Sequence, residues 1–484
     1  MEQDSAKHIY SYDFNTRLLL FGGLYSSELE ETKKNTGVNL NIPFTVAKEK
    51  QNFKMGYSWS KREADYDATG LRILSAARSD YAQSQMGLPY YEIITPEAIT
   101  SGSLIYTPTY VRSETTGDQY TASQELQAGY AMLDLKLLQH LRLVGGMRYE
   151  NNKMTVATVF YDVLTGYPLF KDSSYIEKDW LPSANLIYSV TDKFNIRAAF
   201  SKTLARPDFV ERSPYVYYDF SEQVQVTGQQ SLEVSRIKNY DLRFEYYPSG
   251  NEIISASIFY KDFNNPVERF YNLGNPSNSV EYKNLYSATA KGFEVDFRKS
   301  LGFIAPANSW LQNLYISANY TYLKGEINYA VTKSIDTQKD TFYIVKGNRP
   351  IQGLSPYIIN AALNYQNKTW GFNIGYNRFG RRIVNGGTDP RLIQYENSRD
   401  VVDLQLSTRI LKQKAELRFN ISDLLNQYII IYCNNVNRNK DGSRNPGLEA
   451  NDDPKGDAFN EAVDLINYKA RKGTTFSVSI NYKF

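Results

Sequence analysis

The sequence predicts an all-β fold: a transmembrane, up-and-down antiparallel β-barrel of about 16 strands. Three observations carry that prediction. The chain ends on "GTTFSVSINYKF", where Phe476, Val478, Ile480, Tyr482 and Phe484 alternate with Ser477, Ser479, Asn481 and Lys483. Strand geometry sends such alternating side chains to opposite faces, one apolar and one polar. Short polar turns alternate with long segments, which places short and long connections at opposite ends of an antiparallel sheet. Aromatics are abundant, with 40 Tyr and 24 Phe among 484 residues. Yet mean hydropathy is -0.49, and no apolar run approaches the roughly 20 residues of a membrane helix.

The elements follow in order. An opening strand is expected over residues 17–25, around "RLLLFGG". In "NYDLRFEYYP", Tyr240, Leu242, Phe244 and Tyr246 oppose Asp241, Arg243 and Glu245; in "GFEVDFRKS", Phe293, Val295 and Phe297 oppose Glu294, Asp296 and Arg298. "VVDLQLSTRI" sets Val402, Leu404, Leu406 and Ile410 against Asp403, Gln405, Ser407 and Arg409, and "AELRFNISD" sets Leu417, Phe419 and Ile421 against Glu416, Arg418 and Asn420. The turns "SVTDKFN", "YPSGNE", "YQNKTWG" and "ILKQKAE" belong to one rim, and residues 206–231, 262–285, 324–353, 380–400 and 433–470 to the other. Such an asymmetry is that of a bacterial outer-membrane barrel, with short periplasmic turns and long extracellular loops.

Soluble sandwiches and propellers also alternate. Here, however, Trp180, Trp310, Trp370 and Tyr246 cluster near turns, where rings with one apolar and one hydrogen-bonding end suit a membrane interface. The repeat of about 40 to 50 residues that a propeller needs is also missing. Phe244, Phe297, Leu404 and Phe419 are therefore expected to meet lipid, and Arg243, Glu294, Gln405 and Arg418 a wet lumen. All strands must pair, because backbone groups left open in hydrocarbon cannot be satisfied.

Composition narrows the function. A net charge of +3 from 55 basic and 52 acidic residues supplies no field to recruit nucleic acid. The single cysteine, Cys433, and two histidines, His8 and His140, leave no intrachain disulfide, His-based metal site or His-dependent triad. No metal, cofactor or catalysis is expected. Glu28, Glu30 and Glu31, or Glu177 with Asp179, could be drawn as acid/base pairs, but they read as lumen and loop-end charges. "NRNKDGSRNPGLE", residues 437–449, imitates a calcium loop, yet Leu448 stands where a bidentate Glu is needed. It reads as an exposed Asn/Gly-rich loop. In "SPYVYYDF", Tyr215, Tyr217, Tyr218, Asp219 and Phe220 are the candidate ligand contacts, with loop-on-loop packing as the alternative.

Several stretches resemble, in order, the C-terminal part of the TonB-dependent receptor family. "AFSKTLARPDFVERSP" is similar to the family's strand that ends in Arg-Pro before a large loop. "LEVSRIKNYDLRFEYYPSGNEIISASIFYKDFNNPVERF", "NLYSATAKGFEVDFRKSLGF", "LSPYIINAALNYQNKTWGFNIGYNRFGRRI" and "VVDLQLSTRILKQKAELRFNISDLLNQ" resemble successive hairpins, and "TTFSVSINYKF" the last strand. Pro207 has its own physical reading: without an N–H it ends the ladder. The resemblance implies an outer-membrane receptor that binds and imports a scarce ligand, such as a metal chelate, a cobalamin-like cofactor or an oligosaccharide. It implies a 22-stranded barrel around a plug, energised through TonB, with Phe484 read by the barrel assembly machinery. A passive porin-like channel or structural barrel is the alternative. The expectation is one domain, residues 1–484, lacking a signal peptide, a plug and the first strands. Its sheet would then stay open as a trough, or its first and last strands would meet in a noncognate closure. No globular domain built from residues 1–120 is expected in the lumen.

Overall fold

The computed structural model describes residues 2–4, 9–11, 24–75, 92, 94–109, 119–161, 168–219, 224–272, 279–307, 309–336, 339–347, 349–387, 393–434, 459–462 and 464–483. Their regular structure is almost wholly strand. No helix among them is long and apolar enough to cross a membrane.

The wall is one antiparallel sheet. Its strands are β1 (Leu24–Val46), β2 (Glu49–Ser75), β3 (Gln119–Leu138), β4 (Leu141–Tyr161), β5 (Pro168–Thr191), β6 (Phe194–Ala205), β7 (Ser235–Tyr246), β8 (Ile253–Asn264), β9 (Ser287–Ser300), β10 (Leu314–Asp336), β11 (Tyr357–Gln366), β12 (Trp370–Phe379), β13 (Arg399–Ile410), β14 (Ala415–Ser422) and β15 (Thr475–Tyr482). Two further strands, Leu104–Thr109 and Lys339–Gly347, pair only with the upper parts of β2 and β10. Of the seventeen strands in the barrel order, fifteen therefore run from rim to rim among the described residues, in keeping with the about 16 that the sequence suggests. The first begins at Leu24, so the opening strand expected over residues 17–25 lies largely outside the described residues.

An odd number has a consequence at the seam. The barrel order brings β15 beside β1, and both run from the loop rim to the turn rim. Every paired neighbour elsewhere in the wall is antiparallel. No residue register joins the two strands among the described residues, and both are exposed almost throughout, with Ile480 at 71%. Leu24–Val46, Glu49–Ser75 and Gln119–Leu138 are strands of the wall.

The turn rim is tight. Ala47 and Lys48, both at positive φ, join β1 to β2, the backbone of a two-residue hairpin turn that matches strand twist. At the other rim β6 stops at Ala205, immediately before Arg206-Pro207. The faces alternate as expected. Phe244 is level with Ala256 and Ile196, and Phe419 with Leu406 and Val478, on the outward face. On the inward face Arg243 donates to Glu245 and Asp296, Asn319 to Glu294, and Gln405 to Asn420. Asn364, Asn373, Gln405, Asn420 and Ser477 stand opposite one another across five strands, so this inner wall is lined by neutral amides.

Candidate functional site

The wall is uneven. Strands β1 to β5 have 20 to 27 residues, about twice the 9 to 11 that span a bilayer, and they stand well above the apolar band. The segment after β6 packs against their inner face. It opens with the short helix Phe209–Arg212, capped by Asp208 and Glu211 in a reciprocal capping box. Phe209 and Tyr215, each 1% exposed, fill a core with Ala64, Ala68, Tyr120, Ala122, Met154 and Val156. Tyr215 donates its hydroxyl to that of Tyr66, and the two rings lie 4.7 Å apart. Arg62 lies 4.3 Å from the Phe209 ring and binds Glu31 and Asp208, each at 2.7 Å.

A buried ion network fastens the same segment. Arg212 Nη2 donates to Glu177 at 2.6 Å and to the Leu232 carbonyl at 3.0 Å, with the Tyr175 ring 4.0 Å from its guanidinium. Arg206 reaches Glu150 at 2.9 Å and Glu177 at 3.1 Å, and Arg236 reaches Asp179 at 2.7 Å. Glu177 and Asp179 are thus countered by three arginines, which is a fastening and not an acid/base pair.

Two four-stranded loop sheets complete the mouth. One is ordered Val216–Asp219, Val224–Thr227, Ser279–Asn284, Val267–Asn272; the other Arg382–Asn385, Gln394–Glu396, Ile429–Cys433, Leu465–Ala470. They join where Tyr271 N–H donates to the Gly386 carbonyl at 3.0 Å and Gly386 N–H to the Arg269 carbonyl at 2.8 Å. A Cβ on Gly386 would lie 2.9 Å from Arg349 Nη2 and 3.1 Å from Glu268 Oε2, so the approach requires glycine. Those two atoms form a buried 2.7 Å ion pair.

Between the sheets lies a cavity of about 710 Å³, within the range of small-molecule sites. Arg269, Arg382, Lys472, Glu211, Glu268 and Glu396 give it charge; Tyr282, Tyr468, Ile383, Ile429 and Ile431 give it apolar area. Arg382 pairs with Glu396 at 2.6 Å, Glu268 with Arg349 at 2.7 Å and Arg269 with Asp219 at 3.8 Å, and Lys472 adds a further cation to the lining. Burial pushes the Glu211 carboxyl above the ordinary glutamate range and raises the Tyr282 phenol. Nearby Tyr271 and Cys433 are each pushed up to about 12 by burial. No group of three or more His, Cys, Asp or Glu able to hold a metal ion occurs among the described residues.

The candidate contacts divide. Tyr215 is sealed in loop-on-wall packing and presents no surface to the cavity. Tyr217 stacks on Tyr215 and reaches the Tyr282 hydroxyl at 3.4 Å, behind the cavity wall, and Asp219 lies 3.8 Å from Arg269. Tyr218 belongs to the strand Val216–Asp219, while Phe220, Phe484 and residues 437–449 lie outside the described residues. Sequence reasoning missed the cavity residues themselves. They come from eight separated stretches of the chain, and only "RFGRRI" and "VERF", basic residues beside aromatic ones, hinted at them.

Residues 1–424 match the family described as TonB dependent receptor-like, beta-barrel. The chain belongs to that family. It is an outer-membrane protein, as the family is. It is 21% identical over 262 residues to the ferric enterobactin receptor PirA of Pseudomonas aeruginosa, covering 47% of this chain and 35% of that protein. The fold is similar to the unliganded ferric citrate transporter FecA, with a TM-score of 0.54, 14% identity, and 95% of this chain but 55% of that one covered. It is similar also to the siderophore receptor PiuA of Acinetobacter baumannii, with a TM-score of 0.56, 13% identity, and 96% and 58% covered. The chain thus spans about a third of the curated relative's length and just over half of these solved chains.

Proposed function

We propose that this chain is the barrel of an outer-membrane receptor that captures a scarce organic ligand at its mouth and imports it with TonB. An anionic metal chelate is the ligand class that best suits the cavity, ahead of a cobalamin-like cofactor or an oligosaccharide. The observation that carries this reading is the cavity lining: cations from Arg269 and Lys472 beside Tyr282, Tyr468 and branched apolar residues. Such a lining suits an organic anion. The relatives' names, ferric enterobactin receptor and ferric citrate transporter, point the same way. Two sheets across the mouth support a receptor over an open channel. Assembly through Phe484 by the barrel assembly machinery belongs to the same proposal.

The test is a fluorescence titration of the full chain in detergent with ferric citrate, a ferric tricatecholate and the iron-free chelators. Arg269→Gln and Lys472→Gln should each weaken binding of the cognate chelate about tenfold, the usual scale for a hydrogen bond to a charged group. Equal binding by the variants, or no binding of any chelate, would contradict the reading.

A further inference from the structure

The outward face carries a pattern that ligand capture does not use. On β2, Lys61 lies two residues beyond Trp59, toward the loop rim. The same step separates Lys178 from Trp180 on β5, Lys202 from Phe200 on β6, Lys238 from Tyr240 on β7, Lys291 from Phe293 on β9 and Lys324 from Tyr322 on β10. One same-face step is roughly 7 Å along a strand. Two more lysines join the tier: Lys34 stands opposite Lys61, and Lys153 lies level with it across Glu125. Seven of these eight side chains are exposed and Lys61 is half-buried. Lys61 pairs with Glu63 at 2.6 Å, Lys238 with Asp262 at 3.6 Å and Lys324 with Glu326 at 2.8 Å. The other five form no ion pair among the described residues.

Aromatic rings of this kind mark the boundary between hydrocarbon and headgroups. A tier one step above them lies at the depth of lipid phosphates. Polar chemistry continues above it: Glu30, Asp65 and Thr121 stand level with one another, as do Thr32, Glu63 and Ser123. These carboxylates and hydroxyls line an outward-facing hollow of about 360 Å³. The equivalent step on β12 and β13 is different, since Arg378 and Asp400 there close on each other at 2.7 Å.

We propose that the lysine tier is a collar that binds the phosphate groups of phosphorylated glycolipids in the surrounding outer leaflet, with the carboxylate and hydroxyl tier facing their sugars. The occupant is argued from charge complementarity at headgroup depth, where each basic residue adds attraction to anionic lipid. This inference rests on the outer-membrane placement with the loop rim outward, not on the ligand. A chain that binds no chelate would leave it standing.

The experiment measures lipid retained per protein after the full chain, loaded with diphosphorylated lipid A or its phosphate-free form, is exchanged into fresh detergent. The fourfold variant Lys34→Gln, Lys153→Gln, Lys202→Gln, Lys291→Gln should retain at least about tenfold less of the phosphorylated lipid. The phosphate-free lipid should be lost from both proteins. Lys193→Gln with Lys412→Gln and Lys414→Gln, at the turn rim, should change nothing. Undiminished retention by the fourfold variant, equal retention of the phosphate-free lipid, or an equal loss from the turn-rim variant would each overturn the collar. So would displacement of the lipid by millimolar inorganic phosphate, which would make the tier a site for the free ion. Heat-modifiable gel mobility checks that the variants are folded. Should the fourfold variant fail that check, Lys202→Gln and Lys291→Gln singly should each lower retention measurably, and two unchanged singles would equally overturn the proposal.

Discussion

The two sides of the barrel solve different problems. Strands β1 to β5 carry 20 to 27 residues each, whereas β11 to β15 carry 8 to 12. The short side is little more than a membrane span, with apolar residues outward and amides inward. The tall side continues upward as a two-faced watery wall whose inner surface is a platform. The loops of the shorter strands fold into two sheets, and one of them docks on that platform through Phe209, Tyr215 and Arg212. The comparison teaches that the mouth is built by inequality: one side supplies a backrest and the other the segments that lean on it.

Breaking the backrest contact should have the largest effect. Arg212→Ala strips a partner from buried Glu177, at a cost on the order of 3 kcal/mol because Arg206 remains beside it. Amide exchange should rise across residues 206–219 and stay unchanged in β11 to β15. Unchanged exchange at 206–219 would show that the network is not what holds the loop.

A matched pair of charge substitutions sharpens the contrast between the sides. Phe419→Lys on the short side places a charge in hydrocarbon and should cost about 2 to 4 kcal/mol in refolding into bilayers. Glu63→Lys points outward too, but above the aromatic level, and should cost less than about 0.5 kcal/mol. Equal costs would mean that the tall side is not above the membrane.

The legibility of the sequence follows the same division. On the short side every strand has one lipid face, so Leu417, Phe419 and Ile421 against Glu416, Arg418 and Asn420 could be read directly. On the tall side the pattern stops where the membrane stops. Residues 28–36 are exposed on both faces, residues 61–68 have water on one face and small or polar packing on the other, and no strongly apolar alternation marks either as strand. The loop sheets escaped for another reason. Val224–Thr227 pairs in parallel with residues 279–281, a pairing between distant segments with no local signal. Of the candidate contacts, Tyr215 is buried against Ala64, Tyr120 and Met154 of the wall. An aromatic loop looks the same in sequence whether its rings meet a ligand or a wall.

Smaller effects should come from within the mouth. Gly386→Ala forces a Cβ against the Arg349–Glu268 pair and should cost about 1 to 3 kcal/mol, loosening the junction of the two sheets. Chelate binding should weaken while the wall's thermal transition stays in place. The smallest effect concerns Glu211. Its carboxyl sits above the ordinary range because of burial, so the folded segment favours the protonated form. Docking of residues 209–212 is then strongest below the ordinary glutamate range and weakens as pH rises through the raised value. Glu211→Gln should remove that dependence, protecting the segment better than the native residue at neutral pH and no better in acid. Exchange profiles that keep the same pH dependence would exclude Glu211 as its source.

The central claim is that the tall side and the loop sheets stand outside the membrane while the short turns lie on the other side of it. Cys433 is buried, so introduced cysteines can be read against a low background. Glu63→Cys and Gly250→Cys should be placed singly in the protein as expressed in the outer membrane of intact cells, then treated with an impermeant maleimide. The account predicts labelling at position 63 and none at position 250 until the outer membrane is permeabilised. Labelling at 250 in intact cells, with 63 silent, would contradict it.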